Sequence, residues 1–223
     1  MKRNVDLKDI SDGRLYTSGD MVRADTRGCG GCSACCRGMG NSIILDPYDV
    51  WRFQRSLGLS MEALLADGAE LNVVDGIILP NLKMAGEEEA CTFLDGEGRC
   101  RIHDARPGVC RLFPLGRYYE GRDFRYFLQI HECRQKDRSK VKIKKWVDTP
   151  DLAAYEEYIR QWHYFLEDVQ QILGRDGSDE LRKQVNVYLL KLFFLEPWNG
   201  EEEFYPQFAG RLARGKQYLG IAG

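Results

Sequence analysis

Eight cysteines fall into two groups, and the first is dense. Cys29, Cys32, Cys35 and Cys36 lie within Gly28-Cys-Gly-Gly-Cys-Ser-Ala-Cys-Cys-Arg37. Cys91, Cys100, Cys110 and Cys133 follow in a stretch rich in turns. Thiolates packed this closely repel one another and oxidise readily unless something takes up their charge. A soft or borderline metal does so directly, binding sulfur at about 2.3 Å in the case of zinc. The cysteines therefore constrain the fold before any other feature does: whatever surrounds them must bring thiols together.

The other candidate use of eight cysteines is a disulfide scaffold. Such scaffolds belong to small secreted chains, and this chain has 223 residues. Its amino terminus, Met1-Lys-Arg-Asn-Val-Asp-Leu-Lys-Asp-Ile10, lacks the apolar core of a signal peptide. The most apolar run, Tyr188-Leu-Leu-Lys-Leu-Phe-Phe-Leu195, is interrupted by Lys191. It falls short of the roughly 20 residues that span a bilayer. These features predict a cytoplasmic protein with reduced thiols and no membrane segment. The formal charge of −2, from 32 basic and 34 acidic residues, gives no field drawing the whole chain to nucleic acid or anionic lipid.

Spacing narrows the chemistry. In a Cys-x2-Cys pair the chain turns so that both sulfurs converge, and Gly30-Gly31 permits that turn at little steric cost. The run Cys29-x2-Cys32-x2-Cys35 also has the ligand spacing of bacterial ferredoxins. Zinc, iron or an iron–sulfur cluster are all compatible. The adjacent Cys35 and Cys36 do not suit one ion, because neighbouring side chains diverge; one of them belongs to a second site or is a reactive thiol. Eight thiols could make two four-ligand sites, an iron–sulfur cluster beside a zinc, or a structural site beside an open one. The Cys-x3-Cys-x2-Cys spacing of radical enzymes that cleave S-adenosylmethionine is absent from the first group.

His103 and His131 lie close enough to Cys100 and Cys133 to replace a cysteine as ligand, although a solvent-facing or hydrogen-bonded imidazole is the simpler expectation. His163 reads as core packing. Arg106, Arg111 and Arg117 surround Cys110 in sequence. Beside thiolates they would lower thiol pKa values or screen negative charge; otherwise they pair with carboxylates at the surface.

Along the chain, residues 1–28 show no sustained period and read as a lead-in. Ser42–Leu45 suggests a short strand. Asp46-Pro47 starts a helix that Gly58 ends, and Ser60 caps another over Met61–Ala66. Asp75-Gly76 between β-branched residues predicts a hairpin. Two more hairpins are expected around Asp95–Gly98 and Glu120–Arg122, with a short helix between Pro107 and Pro114. Val141 and Ile143 interleaved with lysines predict an edge strand protected against pairing. A nucleic-acid stripe is the alternative for Arg134–Lys145, but no aromatic residues interleave with its cations. From Thr149-Pro150 the chain becomes helical, with Leu152, Tyr155, Tyr158, Ile159, Trp162, Phe165, Leu166, Val169 and Leu173 at helical spacing. Gly174–Gly177 breaks that helix, Ser178 caps the next as far as Phe193, and Glu201–Tyr218 forms the last.

The order of these motifs resembles the YkgJ-type cysteine-cluster family of zinc- or iron-chelating proteins. Its Cys-x2-Cys-x2-Cys-Cys run stands here as Cys29 to Cys36, followed by Ile43-Ile-Leu-Asp-Pro-Tyr-Asp-Val50 and Leu57-Gly-Leu-Ser60. Its second hallmark stands as Cys91, then Cys100-Arg-Ile-His-Asp-Ala-Arg-Pro-Gly-Val-Cys-Arg-Leu-Phe-Pro114, with Cys133 after a hydrophobic strand. The resemblance covers about residues 28–135 and implies a metal-chelating domain with ligands drawn from these eight cysteines. A larger relative with a similar cysteine pattern is the flagellin lysine-N-methylase, which implies an S-adenosylmethionine-dependent protein methyltransferase with an iron–sulfur cluster as an alternative function. No glycine-rich S-adenosylmethionine fingerprint follows a strand here. A third alternative is an interaction module that binds a partner protein through the basic segment and helical tail.

The expectation is thus an α+β protein: a small cysteine-rich metal-binding domain of short hairpins and helices over residues 1–148, then a helical region over 149–223 packed on it as one unit. The metal ligands are expected among Cys29, Cys32, Cys35, Cys36, Cys91, Cys100, Cys110 and Cys133. Cys29, Cys32 and Cys35 form one face of a site closed from the Cys91–Cys133 region.

Overall fold

The structure is a computed structural model that describes residues 6–27, 32–175 and 178–221. It is α+β. Along the chain come helix α1 (Leu7–Ile10), strand β1 (Met21–Asp25), helices α2 (Pro47–Leu57) and α3 (Met61–Asp67), and strands β2 (Ala69–Val74) and β3 (Ile77–Leu82). The two-residue strands β4 (Met84–Ala85) and β5 (Ala90–Cys91), helix α4 (Gly108–Leu112) and strands β6 (Leu115–Glu120) and β7 (Asp123–Leu128) follow. Strand β8 (Ser139–Lys142) and helices α5 (Ile143–Val147), α6 (Leu152–Arg175), α7 (Asp179–Leu190) and α8 (Phe204–Leu219) complete it. Every sheet has two antiparallel strands: β1–β8, β2–β3, β4–β5 and β6–β7. Among the described residues no helix is long and apolar enough to cross a membrane.

The chain divides into two compact units that are not consecutive in sequence. One comprises Asn41–Lys83 and Gln161–Gly223; the other comprises Lys2–Gly40 and Met84–Arg160. The seven described cysteines fall within the second, called here the cysteine unit.

The first unit follows local sequence rules closely. Asp46 caps α2 by accepting from the Asp49 N–H while Asp49 accepts from the Asp46 N–H, a reciprocal cap that satisfies two orphan donors. Gly58 ends the helix at φ 65°, a left-handed position where glycine carries no Cβ penalty. Strands β2 and β3 pair in register about Asp75-Gly76. The expected strand at Ser42–Leu45 is reduced to one bridge, Ile44 to Asn81, because the chain turns at once into the α2 cap. Asn186 of α7 ties the hairpin down: it accepts from the Ile78 N–H at 2.6 Å and donates to the carbonyls of Gly76 and Arg182. After α7 the helix widens into a π turn, Lys191–Leu195. Arg211 lies over the Trp198 ring at 3.7 Å and donates to the carbonyls of Leu192, Glu196 and Pro197, satisfying the acceptors that end this turn.

The cysteine unit departs from the sequence expectation in two places. The lead-in contains a strand: Met21 pairs with Lys142 and Val22 with Val141. The lysine-rich strand ends at Lys142, and Ile143 begins helix α5 instead of continuing the edge. The Ile143 and Lys144 N–H groups donate to the carbonyls of Asp20 and Ser18, which turns the chain out of the ladder. Tyr16 bridges Tyr126 and Ser11 bridges Gln129, so the lead-in lies along β7. The β6–β7 hairpin forms about Glu120–Arg122 as expected, and Phe127 covers its partner Gly116 so closely that a Cβ there would clash with the ring.

Candidate metal centre

Cys29 lies outside the described residues; the other seven cysteines do not, and none of the seven is in a disulfide. Cys35 and Cys36 occupy a single 3₁₀ turn, Ala34–Cys36, closed by the Cys36 N–H on the Ser33 carbonyl at 2.9 Å. Cys110 sits on α4, the short helix expected between prolines; the Arg111 N–H reaches the Pro107 carbonyl.

Three contacts join the two groups. First, Arg37 makes an antiparallel bridge to Ala90, reinforced by the Gly38 N–H on the Glu89 carbonyl at 3.0 Å. In that register Cys36 and Cys91 are next-door neighbours of the bridged pair. Second, the 91–101 segment folds back as a narrow hairpin, with Leu94 bridging Cys100 and the Asp95 N–H on the Arg99 carbonyl. Its turn uses Gly98 at φ 74°, and a Cβ there would stand 3.4 Å from Ser33 Oγ, so the second group's hairpin packs on the first group's loop. Third, Cys32, Cys35 and Cys133 line one cleft of about 30 Å³, walled by Phe113, Pro114 and Trp146. The Trp146 indole N–H donates to the carbonyls of Leu112 and Phe113, which fixes that wall.

The thiols feel one another. Cys35 is held down to about 7 chiefly by a hydrogen bond from Cys36, whose own thiol is pushed up by that bond, by burial and by the charges of Cys35, Cys110 and Cys91. Burial pushes Cys91 and Cys100 up. Opposing it, the backbone of Phe93 hydrogen-bonds the Cys91 sulfur and that of Ile102 the Cys100 sulfur. Each donor lies two residues after its cysteine, so each N–H is aimed at sulfur by the turn itself, an arrangement that favours thiolate. Among the described residues no three His, Cys, Asp or Glu side chains are gathered closely enough to hold a metal ion. What the described sulfurs offer a thiophilic metal is partial burial, with backbone donors already directed at two of them.

Of the three arginines that flank Cys110 in sequence, Arg106 favours thiolate at Cys35 and Cys100. Its Nη1 lies 3.0 Å from His103 Nε2. Arg111 is buried against Thr149 and the Tyr155 ring, and Arg117 reaches the Tyr155 hydroxyl. Arg101, which sequence reasoning missed, favours thiolate at Cys91 and Cys100; its place beside Cys100 was the available signal. His103 and His131 are exposed and His163 is buried in the other unit.

A family model, CxxCxxCC, described as a "putative zinc- or iron-chelating domain", matches residues 28–148, more than half of the chain. No curated protein and no solved structure matches it. The matched segment contains all eight cysteines. With the described cysteines of both groups in one unit and this model spanning both groups, the chain belongs to the CxxCxxCC family of zinc- or iron-chelating domains.

Proposed function

We propose that this protein chelates zinc or iron through thiolates drawn from Cys29, Cys32, Cys35, Cys36, Cys91, Cys100, Cys110 and Cys133, in a reducing compartment such as the cytoplasm. The observation that carries the reading is the Arg37–Ala90 bridge. It is a long-range pairing whose consequence is to set the first cysteine group against the second. Bound metal would neutralise the charge of converging thiolates. The chain's own residues hold the sulfurs near one another, direct the Phe93 and Ile102 backbone at two of them, and set Arg101 and Arg106 beside them as compensating cations. A four-thiolate site carries net negative charge on either metal, so nearby guanidinium groups favour loading.

The comparisons add nothing to the methyltransferase alternative. Metal and acid-labile sulfide analysis of protein purified without oxygen tests the proposal. Colourless protein with stoichiometric zinc supports a zinc chelator. Brown protein with matching iron and sulfide supports a cluster, and iron without sulfide supports mononuclear iron. Protein that stays metal-free after reconstitution with Zn²⁺ and with Fe²⁺ overturns the proposal.

A further inference from the structure

We propose that strand β8 is a docking edge for an extended acidic segment of another protein, added antiparallel beside it through the outward backbone groups of Lys140 and Lys142. The segment that fits this edge alternates acidic and apolar residues.

The free edge follows from the ladder. The Ile143 N–H donates to the Asp20 carbonyl at 3.0 Å, so Asp20 and Ile143 are a hydrogen-bonded pair. Bonded and non-bonded pairs alternate along antiparallel strands. Met21–Lys142 is therefore a non-bonded pair and Val22–Val141 a bonded one. The irregularity between Val22 and Asp25 sets Arg23 and Ala24 opposite Lys140 alone, so the extra residue belongs to β1 and β8 keeps its alternation. The N–H and C=O groups of Lys142 and Lys140 thus point away from β1. The sheet ends there, with β8 paired to β1 alone. Among the described residues no backbone hydrogen bond takes up these groups.

Side chains choose the occupant. Lys140 and Lys142 are exposed on one face of the strand, and Val141 is half-buried on the other. Arg23, across from Lys140, and Lys144 and Lys145, which follow in α5, are exposed as well. The carboxylates of β1 and its entry are engaged locally. Asp20 accepts from the Thr17 N–H and hydroxyl, and Asp25 from the Arg27 N–H and the Ser139 hydroxyl. Edge lysines discourage pairing with uncharged or basic strands. The same charges favour carboxylates directly across the pair. A strand laid against β8 in this register places acidic side chains opposite Lys140 and Lys142 and an apolar one opposite Val141.

Other polyanions match the lysines but not the backbone. A nucleic-acid strand or a lipid headgroup offers phosphate acceptors, and no row of N–H donors for the Lys140 and Lys142 carbonyls. A peptide brings a donor and an acceptor at every residue, so it satisfies both.

The full-length protein as purified is titrated into a dye-labelled Glu-Val-Glu-Val-Glu-Val-Glu peptide, with binding read by fluorescence anisotropy. Saturable binding is expected. The same peptide methylated on its glutamate backbone nitrogens keeps its charge and loses its strand pairing, and should not bind. Lys140→Glu combined with Lys142→Glu should weaken binding at least about tenfold and confer binding of the matching Lys-Val peptide. Both side chains are exposed, so the thermal midpoint of this variant should stay that of the parent. No saturable binding, equal binding of the methylated peptide, or tighter binding of an oligothymidylate or of phosphatidylglycerol vesicles would overturn the proposal.

Discussion

The two units hold themselves together by different means. In the unit made of Asn41–Lys83 and Gln161–Gly223, stability comes from rings. Trp162 meets Phe193 edge-on at 4.8 Å, Phe204 stacks on Phe208 at 5.6 Å, and Tyr48 and Trp198 each approach Phe204 to 5.0 Å. Aromatic side chains of this size bury enough surface to dominate a core. The cysteine unit has some buried rings of its own, including Phe124, Tyr126 and Tyr155. Around its thiols, however, it is built from two-residue strands, narrow hairpins and a five-residue helix. Isolated hairpins and short helices of this kind are marginal in water. The difference teaches where metal would matter under the proposed function: in the unit of short elements around the thiols, and not in the aromatic core of the other.

The sharpest way to break this contrast is to remove the metal. In small zinc modules, apparent binding free energies of about 10–16 kcal/mol are folding free energies. Chelation should therefore abolish hydrogen-exchange protection over residues 84–112 while β2, β3 and α7 keep theirs. Equal loss in both units would refute the division. Next in size, Phe193→Ala should destabilise the aromatic unit by about 3–5 kcal/mol, read by chemical denaturation, with metal content per folded chain unchanged.

How far this contrast could be read in advance depends on the range of the interactions. Asp46-Pro47, Gly58, Ser60 and Asp75-Gly76 are local signals, and each marks a boundary that the structure keeps. Strand β1 was not legible: only Val22 and Ala24 face inward, too short an alternation, and its partner β8 lies over 100 residues away. The Lys142–Ile143 switch from strand to helix depends on carbonyls of Ser18 and Asp20, which no local pattern encodes. The site divides the same way. Cysteine chemistry and the Cys-x2-Cys spacing pointed to a thiophilic metal, in keeping with the family model over residues 28–148. That Cys36 stands opposite Cys91 in the Arg37–Ala90 register, or that Trp146 walls a cleft beside Cys133, follows from long-range register and packing. Arg111 against Thr149 and the Tyr155 ring, and Arg117 at the Tyr155 hydroxyl, are likewise long-range contacts that nearness in sequence to Cys110 does not encode.

Smaller perturbations sharpen the comparison. Asn186→Ala leaves the Ile78 N–H and the Gly76 carbonyl without their partner and should cost the aromatic unit about 2–3 kcal/mol. Gly116→Ala forces Phe127 off the β6–β7 hairpin and should cost the cysteine unit about 1–3 kcal/mol. The smallest effect is at the surface. Arg214 holds the Glu196 carboxyl below the ordinary glutamate range through two hydrogen bonds. The contribution is complete above the unfolded carboxyl's pKa and disappears as pH falls through the lower folded value. Solvent exposure keeps it under about 1 kcal/mol. Arg214→Gln should therefore lower the midpoint of thermal unfolding slightly at pH 7 and not at pH 2.

The central claim, that one unit of this fold is organised by thiolate–metal bonds, is tested most directly by counting reactive thiols. Anaerobically purified, metal-analysed protein is treated with a thiol reagent before and after chelation. The account predicts bound zinc or iron, few thiols reacting in the native protein, and all eight reacting once the metal is removed. Metal-free protein whose eight thiols react at once under native conditions would contradict it.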